Sequence, residues 1–399
     1  MGKYDFDSVI ERRGTGAMKY DSLEALFGRS DVTPLWIADM EFAAAPEIRE
    51  ALKKRYDHPV YGYAETPDSY WQSIVDWLRR RHRFECTREE LTFVPGVVRA
   101  IAYAVNFFTA PGDKVVIQPP VYHPFRIVTE GNRRTVVENP LIPTPDGKSL
   151  MMDLPGLERV FATEKPKMMI LCNPHNPAGI QWSEQTLATV AHLARKYGVT
   201  VVSDEIHGDL MLYGRPHIPF LSAGPDAEAV GVAFGAPSKT FNIPGLVSSW
   251  AVVKNPEMRK AFYGWLEANE FSAPNFTATV GTEAAYTQAE GWLDELIPYI
   301  EGNIEAVERF CAENCPSVRP MRPQASFLVW LDCRSLGLSQ AELVDLFVNG
   351  AHLALNDGTM FGSQGAGFMR LNVAMPRAEL LKAMQSLAKA LAPATACHE

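Results

Sequence analysis

Between about residue 90 and residue 253 the chain repeats one pattern: a short, nearly continuous apolar run, a polar turn, and then a helix-like stretch. The runs occupy residues 91–94, 114–117, 134–137, 168–171, 199–203, 230–234 and 249–253. Runs this short and apolar read as strands buried on both faces. Their alternation with helical stretches such as 186–196 predicts an α/β fold: a large domain with a mainly parallel seven-stranded sheet and helices on both faces. Helical periodicity then runs from Ala278 to about Cys311, with an interruption expected near Pro298, and leads out of that domain. Strands at 326–331 and 368–373 and a helix at 339–349 predict a smaller α+β domain. The boundaries expected are 46–285 for the large domain and 286–399 for the small one.

Polar chemistry collects where the runs end. Residues 168–171 lead through Cys172 into Asn173-Pro174-His175-Asn176-Pro177-Ala178-Gly179, a loop stiffened by two Asn-Pro steps. The run at 199–203 ends in Asp204-Glu205-Ile206-His207, and the run at 230–234 leads into Gly235-Ala236-Pro237-Ser238-Lys239-Thr240. Open α/β sheets bind ligands at the carboxyl ends of their strands. A lysine set there amid small and apolar residues loses hydration, so its pKa falls and its amine can attack a carbonyl. Taken alone, a lysine beside a serine in an apolar loop is more often structural or exposed; its company singles it out. Pro95-Gly96-Val97-Val98 follows a strand and opens a helix, so the amides of Gly96, Val97 and Val98 are candidates for a phosphate. Arg370 lies inside an apolar strand and must find an anionic partner.

Composition narrows the class. Of 399 residues, 47% are hydrophobic and 21% charged, as in a globular enzyme, and no apolar run approaches the roughly 18 residues that span a bilayer. A net charge of −9 argues against a nucleic-acid surface. The basic cluster Arg79-Arg80-Arg81-His82-Arg83 reads as a solvated last turn of a helix. Cysteines 86, 172, 311, 315, 333 and 397 show no metal or redox spacing and are expected to be reduced thiols, with no metal site. The start, Met1 to Asp7, has no apolar signal core, from which a cytoplasmic location is expected.

Asn176-Pro177-Ala178-Gly179, Asp204 to His207 and Ser238-Lys239, in this order, resemble the signature of the fold-type I enzymes that use pyridoxal 5′-phosphate (PLP), the aspartate aminotransferase superfamily. Pro34 to Phe42, Val60-Tyr61-Gly62-Tyr63 and Gln118 to Phe125 resemble, within it, the carbon–sulfur lyases of the MalY/PatB type, the cystathionine β-lyase-like branch. The resemblance extends from about residue 5 to about residue 390. It implies the PLP-dependent transferase-like fold, with residues 1–45 packing against the small domain, and a homodimer with shared active sites.

The resemblance also assigns roles. Lys239 matches the residue that holds the PLP aldehyde and moves the Cα proton. Asp204 matches the partner of the pyridine nitrogen, although an N-cap would also suit it. Asn176 matches the ligand of the ring 3-oxygen and Tyr122 the aromatic stacked on the ring. His207 either approaches the 3-oxygen or is satisfied by surrounding contacts. Ser238 and the helix-start amides match phosphate ligands, and Tyr63 matches a tyrosine reaching the phosphate of the neighbouring subunit. Arg370 matches the bidentate holder of the substrate carboxylate, while Trp36 and the backbone around Ala38 line the same end of the pocket, with plain core as the alternative for Trp36. Tyr61 or Tyr63 is a candidate to assist a leaving thiol or to tune Lys239.

Two positions depart from the aminotransferase pattern. No arginine stands within residues 243–249, and position 236 is alanine where many relatives have a hydroxyl. The missing arginine fits the lyase branch better. The activity that the resemblance to this branch implies is β-elimination from L-cystathionine or a related L-cysteine S-conjugate, giving pyruvate, ammonia and a thiol. An aminotransferase is the alternative, and a regulator acting through protein contact is a second.

Overall fold

The computed structural model describes residues 2–392; Cys397 lies outside them. The seven runs are the strands of one sheet: β1 (Leu91–Val94), β2 (Lys114–Ile117), β3 (Thr135–Glu138), β4 (Met168–Cys172), β5 (Thr200–Asp204), β6 (Gly231–Gly235) and β7 (Ser249–Val252). Their spatial order is β1-β7-β6-β5-β4-β2-β3, with every pairing parallel except those of β7. β4 to β7 are buried along nearly their whole lengths because helices cover both faces, which explains why their sequences do not alternate. The carboxyl ends of β4, β5 and β6 lie side by side, since Cys172 pairs with Asp204 and Asp204 with Phe234. The three polar loops of the sequence therefore meet at one edge of the sheet.

A second, four-stranded antiparallel sheet contains β8 (Arg319–Met321), β9 (Leu328–Asp332), β10 (Asn356–Asp357) and β11 (Phe368–Asn372), in the order β8-β9-β11-β10. β8 and β10 carry no sequence pattern strong enough to announce them. Near the amino terminus, Thr33–Pro34 pairs in parallel with Leu353–Ala354. The helical region from residue 276 is two helices, Phe276–Gln288 and Glu290–Asn314, that part at Ala289 rather than at Pro298. Pro298 is tolerated inside the second helix because the carbonyl it leaves without a donor belongs to Asp294, a residue at the solvent-exposed face. The basic cluster closes helix Asp68–His82, where Arg80 and Arg81 pair with Glu290 and Arg81 also with Asp294. No helix among the described residues is long and apolar enough to cross a membrane.

Candidate active site

Lys239 sits in the one-turn helix Pro237–Thr240 directly after β6. The residue is half-buried, and its amine donates to the Ala38 carbonyl at 2.5 Å. Burial lowers its pKa to about 8; Asp39 and Asp204 oppose that shift, and Arg370 and Lys19 reinforce it. At pH 7 about a tenth of such an amine is neutral, far more than for a free lysine, which suits a nucleophile and proton carrier.

Asp204 ends β5 with 4% of its surface exposed. One carboxyl oxygen accepts from the Ile206 amide at 3.1 Å, so the turn-capping role is real, but it engages only that oxygen. Burial pushes this carboxyl up to about 7. Glu205 is structural: it accepts from Ser203 Oγ, the Phe220 amide and His217 Nε2. His207 is buried with Nδ1 unpartnered among the described residues, and burial lowers its pKa to about 3. The alternative that surrounding contacts satisfy this ring therefore does not hold for Nδ1 among the described residues.

Arg370 projects from the middle of β11, 3% exposed. One terminal nitrogen donates to Asn176 Oδ1 at 3.0 Å; the other donates to Asn356 Oδ1 at 2.6 Å and to the Trp36 carbonyl at 2.9 Å. Its Nε is buried without a partner, and the Phe361 ring lies 4.9 Å from the guanidinium. All three acceptors are neutral, and no carboxylate among the described residues pairs with it. Burial alone lowers its pKa to about 10. The anionic partner expected from the sequence is not found among the described residues. Asn176 thus stands between Arg370 and the polar loop, its amide donating to Cys172 Sγ and its carbonyl accepting from the Tyr122 amide. Tyr122 is half-buried beside it.

The helix-start site is smaller than expected. Gly96 adopts φ 101°, which needs glycine, but its amide donates to the Val94 carbonyl at 2.9 Å. That tight turn consumes one of the three expected donors and leaves the amides of Val97 and Val98 in the first turn of helix Val97–Phe108. Ser238 is buried, and its hydroxyl makes no hydrogen bond among the described residues. The Trp36 indole is core: it donates to the Lys19 carbonyl and packs edge-on against Phe27, so only its backbone carbonyl serves the site. Tyr61 and Tyr63 are exposed, by 58% and 112%. The Tyr61 hydroxyl donates to the Tyr56 carbonyl and its ring stacks on Phe276; neither tyrosine bonds to the residues above.

Sequence reasoning missed Asn356 and Cys172, which hold Arg370 and Asn176. It also missed Asp209, which accepts from Thr240, His82 and Trp77 behind Lys239. A polar side chain at the end of a buried run was the only local signal for any of them.

The profile of the aminotransferase class I and II family matches residues 30–387. Cystathionine β-lyase PatB of Bacillus subtilis is 43% identical over 387 residues, covering 97% of this chain and all of that protein. Cystalysin of Treponema denticola, whose crystal structure contains PLP, superposes with a TM-score of 0.93 at 32% identity over 97% of this chain and 98% of its own. A PLP-bound C–S lyase of Staphylococcus hominis does so with a TM-score of 0.90 at 30% identity, over 98% of both chains.

Proposed function

This chain belongs to the aminotransferase class I and II family, and from that premise we propose that it is a PLP-dependent carbon–sulfur β-lyase acting on L-cystathionine or related L-cysteine S-conjugates. The observation that carries the reading is Arg370, a buried guanidinium bonded only to neutral oxygens, in one site with the deprotonation-prone amine of Lys239. The pair suits a substrate with a carboxylate beside an acidic C–H.

The residues present fit PLP. Asp204, buried and pushed up to about 7, has one carboxyl oxygen unspent and suits a protonated ring nitrogen. Asn176 and the unpartnered Nδ1 of His207 suit the ring's 3-oxygen, Tyr122 its face, and the amides of Val97 and Val98 with Ser238 its phosphate. When bound, PLP supplies an electron sink at the substrate Cα. The chain supplies the rest. Arg370 grips the substrate carboxylate in a planar fork and fixes the orientation of Cα. Lys239, whose amine burial favours in the neutral form, would take the Cα proton. A thiolate at Cβ then leaves, and hydrolysis of the remaining fragment gives pyruvate and ammonia. Without such a leaving group, return of the proton elsewhere leads to transamination, the competing outcome.

Residues 46–285 and 286–399 serve as the large and small domains in this reading, and residues 1–45 pack with the small one, which the pairing of Thr33–Pro34 with Leu353–Ala354 supports. It also makes the protein a homodimer. Exposed Val60, Tyr61 and Tyr63 support this, since a partner would bury them and bring a tyrosine to the other site. A reducing, cytoplasmic setting accords with the five buried free thiols. The reading is tested by kcat/KM across L-cystathionine, S-alkyl-L-cysteines, and L-aspartate with 2-oxoglutarate. The sulfur substrates are expected to lead, and preference for L-aspartate with the keto acid establishes an aminotransferase instead.

A further inference from the structure

The catalytic amine follows a strand of the large sheet and the carboxylate-binding guanidinium lies in a strand of the small one, yet a single backbone segment touches both. Residues 36–42 form a strap with no regular secondary structure. Its Trp36 carbonyl accepts from Arg370 at 2.9 Å and its Ala38 carbonyl from Lys239 at 2.5 Å. Irregular backbone holds its carbonyls in place only if something else pins it.

Two asparagines do so, one near each catalytic residue. Asn242, three residues after Lys239, accepts from the Met40 amide at 2.9 Å and donates to the Met40 and Phe42 carbonyls at 3.0 and 2.8 Å. Asn372, two residues after Arg370 and 2% exposed, donates to the Ile37 and Asp39 carbonyls at 2.8 and 2.7 Å while accepting from the Ala374 amide. Asn242 holds φ 55°, a left-handed conformation that costs asparagine less than most residues. From the outer side, Arg12 and Lys19 grip Asp39 and Glu41. A carboxamide is apt for the inner pins because its NH2 can donate to two strap carbonyls while its oxygen accepts a backbone amide, from Met40 of the strap at Asn242 and from Ala374 beside it at Asn372.

We propose that Asn242 and Asn372 are positioning residues that use the 36–42 strap as a spacer, fixing the Lys239 amine relative to the Arg370 guanidinium so that a substrate gripped at one end presents its Cα–H to the other. The proposal rests on the roles given above to Lys239 and Arg370. Neither asparagine needs to touch substrate. Loosening either pin leaves both functional groups intact but frees the distance between them. Proton transfer is sensitive to that distance, and a misplacement of about 1 Å costs about 10²-fold.

The test uses the PLP-loaded enzyme and two variants that remove the pins without adding charge: Asn372→Ala, and Asn242→Gly, which keeps the left-handed backbone. The rate of Cα hydrogen exchange of L-alanine in deuterium oxide reads the proton step, which elimination and transamination share. The calorimetric Kd of propionate reads the Arg370 grip alone. Amide hydrogen exchange of residues 36–42 reads the strap. The expected result is faster strap exchange, a fall of about 10²-fold in Cα exchange and a propionate Kd within about threefold of the parent. Cα exchange within about threefold of the parent in both variants overturns the proposal, and so does a loss of Cα exchange matched by an equal loss of propionate affinity. If one variant fails to fold, the other decides by the same readings. A parent enzyme that exchanges Cα protons but releases no thiol refutes the lyase reading and leaves this test standing.

Discussion

Arg370 shows how far one residue can be read. Its place in an apolar run announced a buried charge needing an anion, and the structure surrounds it with three neutral oxygens instead. In the function proposed, the anion comes with the substrate. Arg370→Lys keeps the charge but loses the fork, so kcat/KM for an S-conjugate should fall by about 10²-fold or more, checked by steady-state kinetics. Asp204 carries a second consequence. Its carboxyl is pushed up to about 7 from an ordinary 3.8, so the folded apoprotein binds this proton more tightly than the unfolded chain does. The penalty for carrying the charge is complete above pH 7 and disappears as pH falls through 7 toward 4. Asp204→Asn should therefore stabilise the apoprotein at pH 8, by up to about 4 kcal/mol, and give almost no advantage at pH 4, as measured by urea denaturation. Asn356 and Cys172 were illegible for a simple reason: each acts by meeting a residue distant in the fold, and nothing in their own neighbourhoods marks the meeting.

At the scale of elements, all seven strands of the large sheet were legible: β4 to β7, buried on both faces, as continuous apolar runs, and the unburied edge strand β3 through its β-branched Thr135, Val136 and Val137. The short β8 and β10 were not, since two or three residues cannot establish a period. Proline drew the expected helix interruption to Pro298, whereas the chain parts at Ala289, where φ is −101° and ψ 11°. A proline inside a helix costs less where the carbonyl it orphans can reach water. The junction of β6 with the Lys239 turn is tightly packed: a Cβ on Gly235 would lie 2.2 Å from the ring of Trp250, its cross-strand partner. Gly235→Ala should cost about 1–3 kcal/mol in chemical denaturation. Behind the same turn, Asp209→Ala strands three buried donors, from Trp77, His82 and Thr240, and should cost about 3 kcal/mol or more by the same measurement.

Across the whole molecule, the site lies where the large sheet's strand ends, the small sheet's Arg370 and the amino-terminal strap converge. Sequence order supplied the large-sheet part of this arrangement; the convergence depends on packing between residues more than 300 positions apart, for which no local pattern exists. Tyr61 and Tyr63 mark the limit of a single chain, being exposed in it and assigned to the partner's site in the dimer proposed. If Tyr63 acts across the dimer, hybrids of Lys239→Ala and Tyr63→Ala chains contain one intact site and should regain activity absent from either parent variant; no recovery in isolated hybrids places Tyr63 in its own chain's site or outside the chemistry. The most direct test of the central claim is the stoichiometry of L-cystathionine turnover without any added keto acid. The account predicts one thiol for each pyruvate over many turnovers, whereas keto acid formed without thiol, and only when an acceptor acid is supplied, would contradict it.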